Sequence, residues 1–421
     1  MEKFLRTIKR FVPKALFTAL QPYYYYFLAA VGAVWYRFPS NKLCIVGITG
    51  TNGKTTTATL LYKIATELGY KAGLISTVEN IIDGEVKPTT HTTPDPISLN
   101  KIFREMANAE CKYVFMEVSS HAMSQKRVLG VNFIGGIFTN LTHDHLDYHK
   151  SFENYFEAKK KFFKMLPVRA FALTNTDNEY GNKILQGIKA RNFSYGFSGS
   201  ETFHGEIKKI KFDGLDLAFN GIDIDSKLIG KFNAYNLLAV WGASNLLGFD
   251  MGKVSIILKD IEPPPGRFQH FISPNGVLVI VDYAHTPDAL ENVLKTIRTF
   301  AVSKVISIFG CGGNRDPMKR KVMGHIGTAL SDIAIFTSDN PRNEDPKKII
   351  DEMKTGLSDE DLKKVKAISN RREAILEGIK LAQKGDVILC AGKGHEDYQE
   401  IGGVRHHFND MEEFKKAFSI L

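Results

Sequence analysis

The chain has 421 residues, of which 43% are hydrophobic and 24% charged, and a formal net charge of +9. That length makes two or three domains, and those fractions belong to a soluble globular protein. The basic excess suits phosphate-bearing ligands, but no Arg/Lys-rich tail or interleaved aromatic-basic repeat argues for nucleic acid. The four cysteines are scattered without a CxxC pair, which reads as reduced core thiols in a cytoplasmic chain.

Residues 1–40 stand apart. Lys3, Arg6, Lys9, Arg10 and Lys14 punctuate an apolar start, and Ala15 to Trp35 is nearly uncharged and rich in aromatics. No small-residue cleavage site comes after it, so a signal peptide fits poorly. A spanning helix is interrupted at Gln21 and Pro22, and its basic start would export the rest of the chain, against the cytoplasmic reading of its thiols. Two readings stay open: an amphipathic or hairpin segment in peripheral contact with a membrane, or a helix pair buried on the protein itself.

From 41 to 264, short β-rich runs alternate with helical stretches. Strands are expected at Leu43–Ile48, Tyr113–Val118 and Ile134–Thr139, and helices at Thr55–Leu68, Ser151–Phe163 and Asn233–Leu247. This is an α/β pattern with a mostly parallel sheet. A polar hairpin, Glu206 to Phe219, turns at Asp213-Gly214. Pro263-Pro264-Pro265-Gly266 reads as a linker. From 265 to 421 the alternation restarts, with strands at Val277–Asp282, Lys304–Phe309, Ile333–Thr337 and Val387–Cys390, a smaller doubly wound domain.

The first strand runs into Gly50-Thr51-Asn52-Gly53-Lys54-Thr55-Thr56, and a helix comes next. Strand, Gly-rich turn and helix aim backbone N–H groups at one spot, where a phosphate fits. In that arrangement Lys54 reaches the outer phosphates of ATP and the Thr55 hydroxyl sits on Mg²⁺. Ile48 departs from the general P-loop pattern, which has Gly there.

Glu117 ends the next strand, where a carboxylate can hold a cation. After the third strand comes Thr139 to His149, with three histidines and two aspartates in its last seven residues; Zn²⁺, or Mg²⁺ with a polar substrate, are both compatible with it. Lys160 and Lys161 read as a solvated helix face. Four further runs sit at strand ends of the second domain: Asp282 to Pro287, Gly310 to Asp316, Ser338 to Arg342, and Gly392 to Glu396. Their mixed charges suit a zwitterionic amino acid.

Together, Thr-Gly-Thr-Asn-Gly-Lys-Thr-Thr, Met-Glu-Val-Ser-Ser-His, Asp-His-Leu-Asp-Tyr-His and Asp-Asn-Pro-Arg, in that order, resemble the Mur ligases. These are ATP-dependent amide-forming enzymes of peptidoglycan synthesis, and the likeness is greatest to the branch that adds the third residue. It runs from about residue 41 to the C-terminus and accounts for Ile48. It implies an α/β fold with a central P-loop domain and a smaller Rossmann-like domain. It assigns Lys54 and Thr55 to phosphate and Mg²⁺, Glu117 and His145 to a second Mg²⁺, and Lys159 to the lysine that the family carbamylates. By the same likeness Asn236, Arg267 and Asp282 meet the nucleotide. Thr92, Thr93, Ser119, Gln125 and Arg127 meet the muramoyl-peptide acceptor. Arg315, Asp339, Asn340, Arg342, Gly392 and Glu396 form the amino-acid pocket, and Asp-Asn-Pro-Arg points to meso-diaminopimelate.

Two departures accompany the resemblance. His143 stands where the family has Arg, and residues 1–40 stand where the family has a UDP-binding domain. The partners implied are therefore a nucleotide-sugar peptide or a related carrier, and an amino acid. Rival readings are a ligase acting on a polyglutamate or lipid-linked muramoyl peptide, and a P-loop protein that binds ATP without ligating. With site residues on both halves, the expectation is closure on ATP and acceptor about Pro263–Gly266.

Overall fold

The computed structural model describes residues 14–89, 91–142 and 146–420. Its contacts divide it into two units, one holding most of the chain up to Ile261 and the other most of it from Glu262 onward. Residues 208–216 and 225–231, the far part of the expected hairpin region, belong with the second unit.

The first sheet has eleven strands. In chain order they are β1 (Cys44–Thr49), β2 (Ala72–Ile75), β3 (Asn80–Ile82), β4 (Glu85–Lys87), β5 (Tyr113–Glu117), β6 (Phe133–Phe138), β7 (Phe171–Asn175), β8 (Arg191–Gly196), β9 (Phe203–Lys211), β10 (Gly214–Phe219) and β11 (Ile222–Ser226). In space the order is β11-β10-β9-β8-β7-β6-β1-β5-β2-β3-β4. The central strands β2, β5, β1, β6, β7 and β8 pair in parallel. All but β8, which begins at exposed Arg191 and Asn192, are largely apolar and buried, as a sheet covered on both faces demands. Because they are parallel, the segments after β1, β2, β5 and β6 all leave from one edge.

The second unit carries a six-stranded sheet: β12 (Gln269–Ile272), β13 (Leu278–Asp282), β14 (Val305–Phe309), β15 (Ile333–Phe336), β16 (Val365–Ala367) and β17 (Val387–Ala391), in the order β12-β13-β17-β14-β15-β16. Only β12 is antiparallel to its neighbour. The turns after β13, β14, β15 and β17 therefore share one edge.

Helix Phe152–Met165 lies on β1 and β6 through a patch of glycine backbone. A Cβ placed on Gly47 would stand 2.5 Å from Cζ of Phe162, and one on Gly136 would stand 2.8 Å from Cε1 of the same ring. The phenyl ring thus fills the place of two missing side chains, at interior packing density.

The N-terminal segment corrects the expectation of an interrupted stretch. Lys14–Trp35 is one helix of 22 residues, running through Gln21 and Pro22. A proline inside a helix costs about 3 kcal/mol through its missing N–H and its ring clash. Tertiary docking offsets that cost. Leu28, Ala29 and Ala33 are buried, Gly32 lies against Pro96 and Asn100, and Arg104 Nε donates to Tyr36 O at 3.0 Å. Among the described residues, no helix is long and apolar enough to cross a membrane.

Candidate active site

In the first unit the turn after β1 is held by the turn after β6. Thr51 N donates to Asn140 O (2.8 Å), Asn52 N to Asn140 Oδ1 (2.9 Å), and Thr139 Oγ1 to Asn52 O (2.6 Å). Thr51 Oγ1 also shares a hydrogen bond with Tyr155 at 3.0 Å. Gly53 has φ +82, a conformation that favours glycine, and begins helix Lys54–Glu67 with Asn236 directly beside it. Asn236 is steadied by Asn233 at 3.0 Å. Gly50 lies against Thr139, where a Cβ has no room. Thr56 is buried in the first turn of the helix. The loop is thus pinned by the turn after β6, and it leads into a helix N-terminus, the kind of end that receives phosphates.

Two ammonium groups converge on this loop. Lys54 Nζ donates to Gly50 O (3.0 Å) and Thr51 O (2.7 Å). Lys159, only 1% exposed, donates to the same Gly50 carbonyl at 2.6 Å and lies over the Tyr155 ring. Lys160 is half-buried over Phe156 rather than solvated like Lys161.

Glu117 is fully buried. Its Oε1 accepts from Thr55 Oγ1 (2.8 Å) and Thr77 N (2.7 Å), whereas Oε2 is buried without a hydrogen-bond partner. A buried carboxylate oxygen left without a donor is costly. Beside a threonine hydroxyl on a phosphate loop, it is the oxygen set that a hard divalent cation takes. His145 and His143 lie outside the described residues.

Around Glu117 the expected acceptor residues form one network. Thr93 Oγ1 donates to Glu117 O (2.8 Å) and lies 3.4 Å from Ser119 Oγ. Thr92 accepts from Thr77 Oγ1 at 3.0 Å. Arg127 grips Gln125 Oε1 through Nε (2.8 Å) and Nη2 (2.6 Å), and Thr93 O through Nη1 (2.6 Å). Residues from three separate segments therefore present one polar wall beside the cation-type oxygens.

In the second unit, Asp282 accepts from Phe268 N (2.7 Å) and Ala284 N (2.8 Å). Burial pushes its carboxyl upward, while Arg267 and those two N–H groups oppose the shift. Arg267 stacks on the Tyr283 ring, 4.8 Å from its centroid, with Nε buried and unpaired. His395 faces the same ring, and burial, then the Arg267 charge, drives it from 6.5 down to about 4, so it is neutral at pH 7.

The remaining expected residues cluster after β14, β15 and β17. Arg342 sits at φ +53 and donates through Nη1 to Gly313 O (2.8 Å), with Glu400 3.5 Å from its Nε. Arg315 is exposed, and Gly312 lies against the side chains of both arginines. Asn340 Nδ2 donates to Glu396 Oε2 (2.8 Å), and Asp339 lies beside Gly392. The Arg342 guanidinium and a held carboxylate in one place can bind a carboxylate and the ammonium of an amino acid.

Sequence reasoning missed the residues that hold these in place. Lys393 is fully buried and reaches Glu396 Oε2 at 3.2 Å and Asn340 Oδ1 at 3.4 Å. Arg320 makes a bidentate pair with Glu344 (2.9 and 3.0 Å) and also reaches Gly312 O. Glu344 in turn accepts from Asn314 N, and it is held down at about 2, chiefly by Arg320. Arg371 pairs with Asp410 and donates to Ser338 O and Ala391 O. Lys393 stood in a motif already singled out; Arg320 and Arg371 carry no local signal. Cys311 is no nucleophile, since burial pushes its thiol up to about 12.

The family model of the Mur ligase middle domain matches residues 48–244, and that of the Mur ligase glutamate ligase domain matches residues 266–394. The chain is 52% identical over 387 residues to a UDP-N-acetylmuramoyl-L-alanyl-D-glutamate–2,6-diaminopimelate ligase of Parabacteroides distasonis, covering 91% of this chain and 80% of that one. It is 53% identical over 388 residues to the enzyme of the same name from Bacteroides fragilis, covering 92% and 80%. A solved structure bearing that name superposes with a TM-score of 0.68 at 31% identity, over 93% of this chain and 82% of the other. A folylpolyglutamate synthase of Mycobacterium tuberculosis superposes with a TM-score of 0.70 at 17% identity, over 87% and 92%, a likeness of fold alone.

Proposed function

We propose a specific reaction for this chain from the premise that it belongs to the Mur ligase family, the ATP-dependent, ADP-forming amide ligases. The reaction is addition of meso-diaminopimelate to the D-glutamyl carboxylate of UDP-N-acetylmuramoyl-L-alanyl-D-glutamate, a step of peptidoglycan synthesis. The relatives' names supply the substrates. The carrying observation on this chain is the Arg342 guanidinium at Gly312 and Gly313, beside the Asn340–Glu396–Lys393 cluster. An arginine fork grips the second carboxylate of diaminopimelate, which lysine lacks.

The acceptor carboxylate attacks the terminal phosphorus of ATP, and ADP leaves with the broken P–O bond. The amine of the amino acid then attacks the acyl phosphate, and the tetrahedral intermediate collapses to the amide as phosphate departs. Lys54 leaves its loop carbonyls for the outer phosphates and stabilises charge on the transferred group. Thr93, Ser119, Gln125 and Arg127 orient the acceptor. Asn236 in the first unit, and Arg267 with Asp282 in the second, each carry a nucleotide-binding role. Glu396, fixed by Lys393 and Asn340, takes the ammonium of the amino acid.

Thr55 and Glu117 would hold Mg²⁺, whose chemistry is to offset phosphate charge. Carbamylated Lys159 would supply that cluster with an anionic oxygen in place of its ammonium, which repels a cation. ATP and a nucleotide-linked substrate place the reaction in the cytoplasm.

The test is product mass spectrometry with the acceptor above, ATP, and either meso-diaminopimelate or L-lysine. The expected product is the diaminopimelyl tripeptide with stoichiometric ADP. Preference for L-lysine, or ADP release without any amide, refutes the reading.

A further inference from the structure

The helix Lys14–Trp35 has two faces with opposite fates. One packs on helix Pro96–Asn108 through Leu28, Ala29, Gly32 and Ala33. The other carries Tyr26 (57% exposed), Phe27 (63%), Val31 (36%), Val34 (62%) and Trp35 (78%), and Phe38, just past the helix end, is exposed as well. Successive gaps of one, four, three and one residues put the five helical positions within one half of the helix circumference. Large apolar side chains scattered singly are ordinary on a protein surface, but five exposed apolar and aromatic side chains on one side of a helix are not.

The charges at its ends say what covers it. Between Glu2 and Glu67 the sequence has no acidic residue. Lys3, Arg6, Lys9, Arg10 and Lys14 precede or begin the helix, Arg37 and Lys42 come after it, and Lys126 lies 5.8 Å from the centroid of the Tyr26 ring. A second copy laid on the stripe would bring positive ends together whether parallel or antiparallel, and like charges at an interface oppose association. An anionic bilayer neutralises both ends at once. Tyr and Trp are also the side chains that suit the level between headgroups and acyl chains.

We infer that this outward stripe docks the enzyme on an anionic lipid surface, with the helix lying in the interfacial plane while its other face stays packed on the first unit. The docking is peripheral and reversible, since it combines a short apolar stripe with an electrostatic term.

The test is co-sedimentation of the full chain with phosphatidylcholine vesicles, with and without phosphatidylglycerol, at low and high salt. Binding to the phosphatidylglycerol vesicles should exceed binding to the neutral ones by about tenfold or more and fade with salt. Phe27→Ser and Trp35→Ser, both at exposed positions, should each weaken it about tenfold while leaving ligation of soluble substrates and the unfolding midpoint unchanged. Light scattering on the same samples reads the competing occupant. No vesicle binding, or a dimer that Phe27→Ser and Trp35→Ser dissolve, overturns the proposal.

Discussion

Arg371→Met should unfold the second unit more readily than any surface change. The guanidinium is 1% exposed and meets Asp410, itself fully buried, through Nε–Oδ1 at 2.7 Å and Nη2–Oδ2 at 2.8 Å. Methionine retains much of the volume but strands the Asp410 carboxylate without a counter-charge. Breaking one side of such a pair costs about 3–5 kcal/mol, whereas removing both sides is often nearly neutral. Arg371→Met/Asp410→Leu should therefore recover most of the loss. It should still fall about 1 kcal/mol short of the parent, because Ser338 O and Ala391 O also lose their donor.

Those carbonyls immediately precede Asp339 and Gly392, so the single variant should also raise KM for the amino acid more than KM for ATP. Urea unfolding must be read where the effect is. Both tryptophans, Trp35 and Trp241, belong to the first unit, so their fluorescence reports on that unit rather than on the site of the change. Hydrogen exchange of the β17 amides is the suitable probe. A single variant within about 1 kcal/mol of the parent, or a double variant worse than the single, refutes the reasoning.

Lys159→Ala should lower kcat by roughly a hundredfold or more, as loss of a preorganised charged group does, and bicarbonate should not restore it; wild-type turnover in that variant removes Lys159 from the mechanism. Arg342→Ala should weaken diaminopimelate by about 2–5 kcal/mol in KM while leaving the acceptor KM unchanged, and steady-state kinetics that show equal losses for both would count against the pocket. His395 adds a pH signature. Its folded value is about 4 against an ordinary 6.5, so the unfolded chain binds the proton more tightly. The stability tied to its neutral form is intact above 6.5 and is lost as the pH falls toward 4. Allowing for partial exposure, that is about 1–2 kcal/mol. His395→Gln should lack this term, and parallel acid-unfolding curves for the two proteins would contradict the assignment.

Local chemistry wrote much of this molecule legibly. The strand expected at Leu43–Ile48 is found at Cys44–Thr49, and the helix expected from Thr55 begins at Lys54, because a Gly-Lys-Thr turn punctuates both ends at once. Strand-end polar runs were visible as runs, since apolar β segments stop abruptly before them. What joins them was not. Arg371 and Asp410 are 39 residues apart, and Thr51 and Tyr155 are 104 apart. No periodicity links such pairs; only the parallel stacking of β1, β5 and β6, or of β13, β17, β14 and β15, brings the turns after them to one edge. The N-terminal helix failed for the converse reason. Pro22 is a valid local stop signal, but docking on Pro96–Asn108 outweighed it.

The bare backbone of β1 at Gly47 has a further meaning. Phe162 rests there, and Lys159 stands one helical turn earlier on the same helix, so a benzene ring sets how deeply the lysine reaches toward Gly50. The ring behaves as a gauge block between scaffold and chemistry. Gly47→Ala adds one methyl group, no charge and no polar atom, yet it must lift the helix or turn the ring. A survey confined to polar side chains would miss the position altogether. A methyl group on the sheet would then be felt at the lysine, through a ring that makes no polar contact of its own.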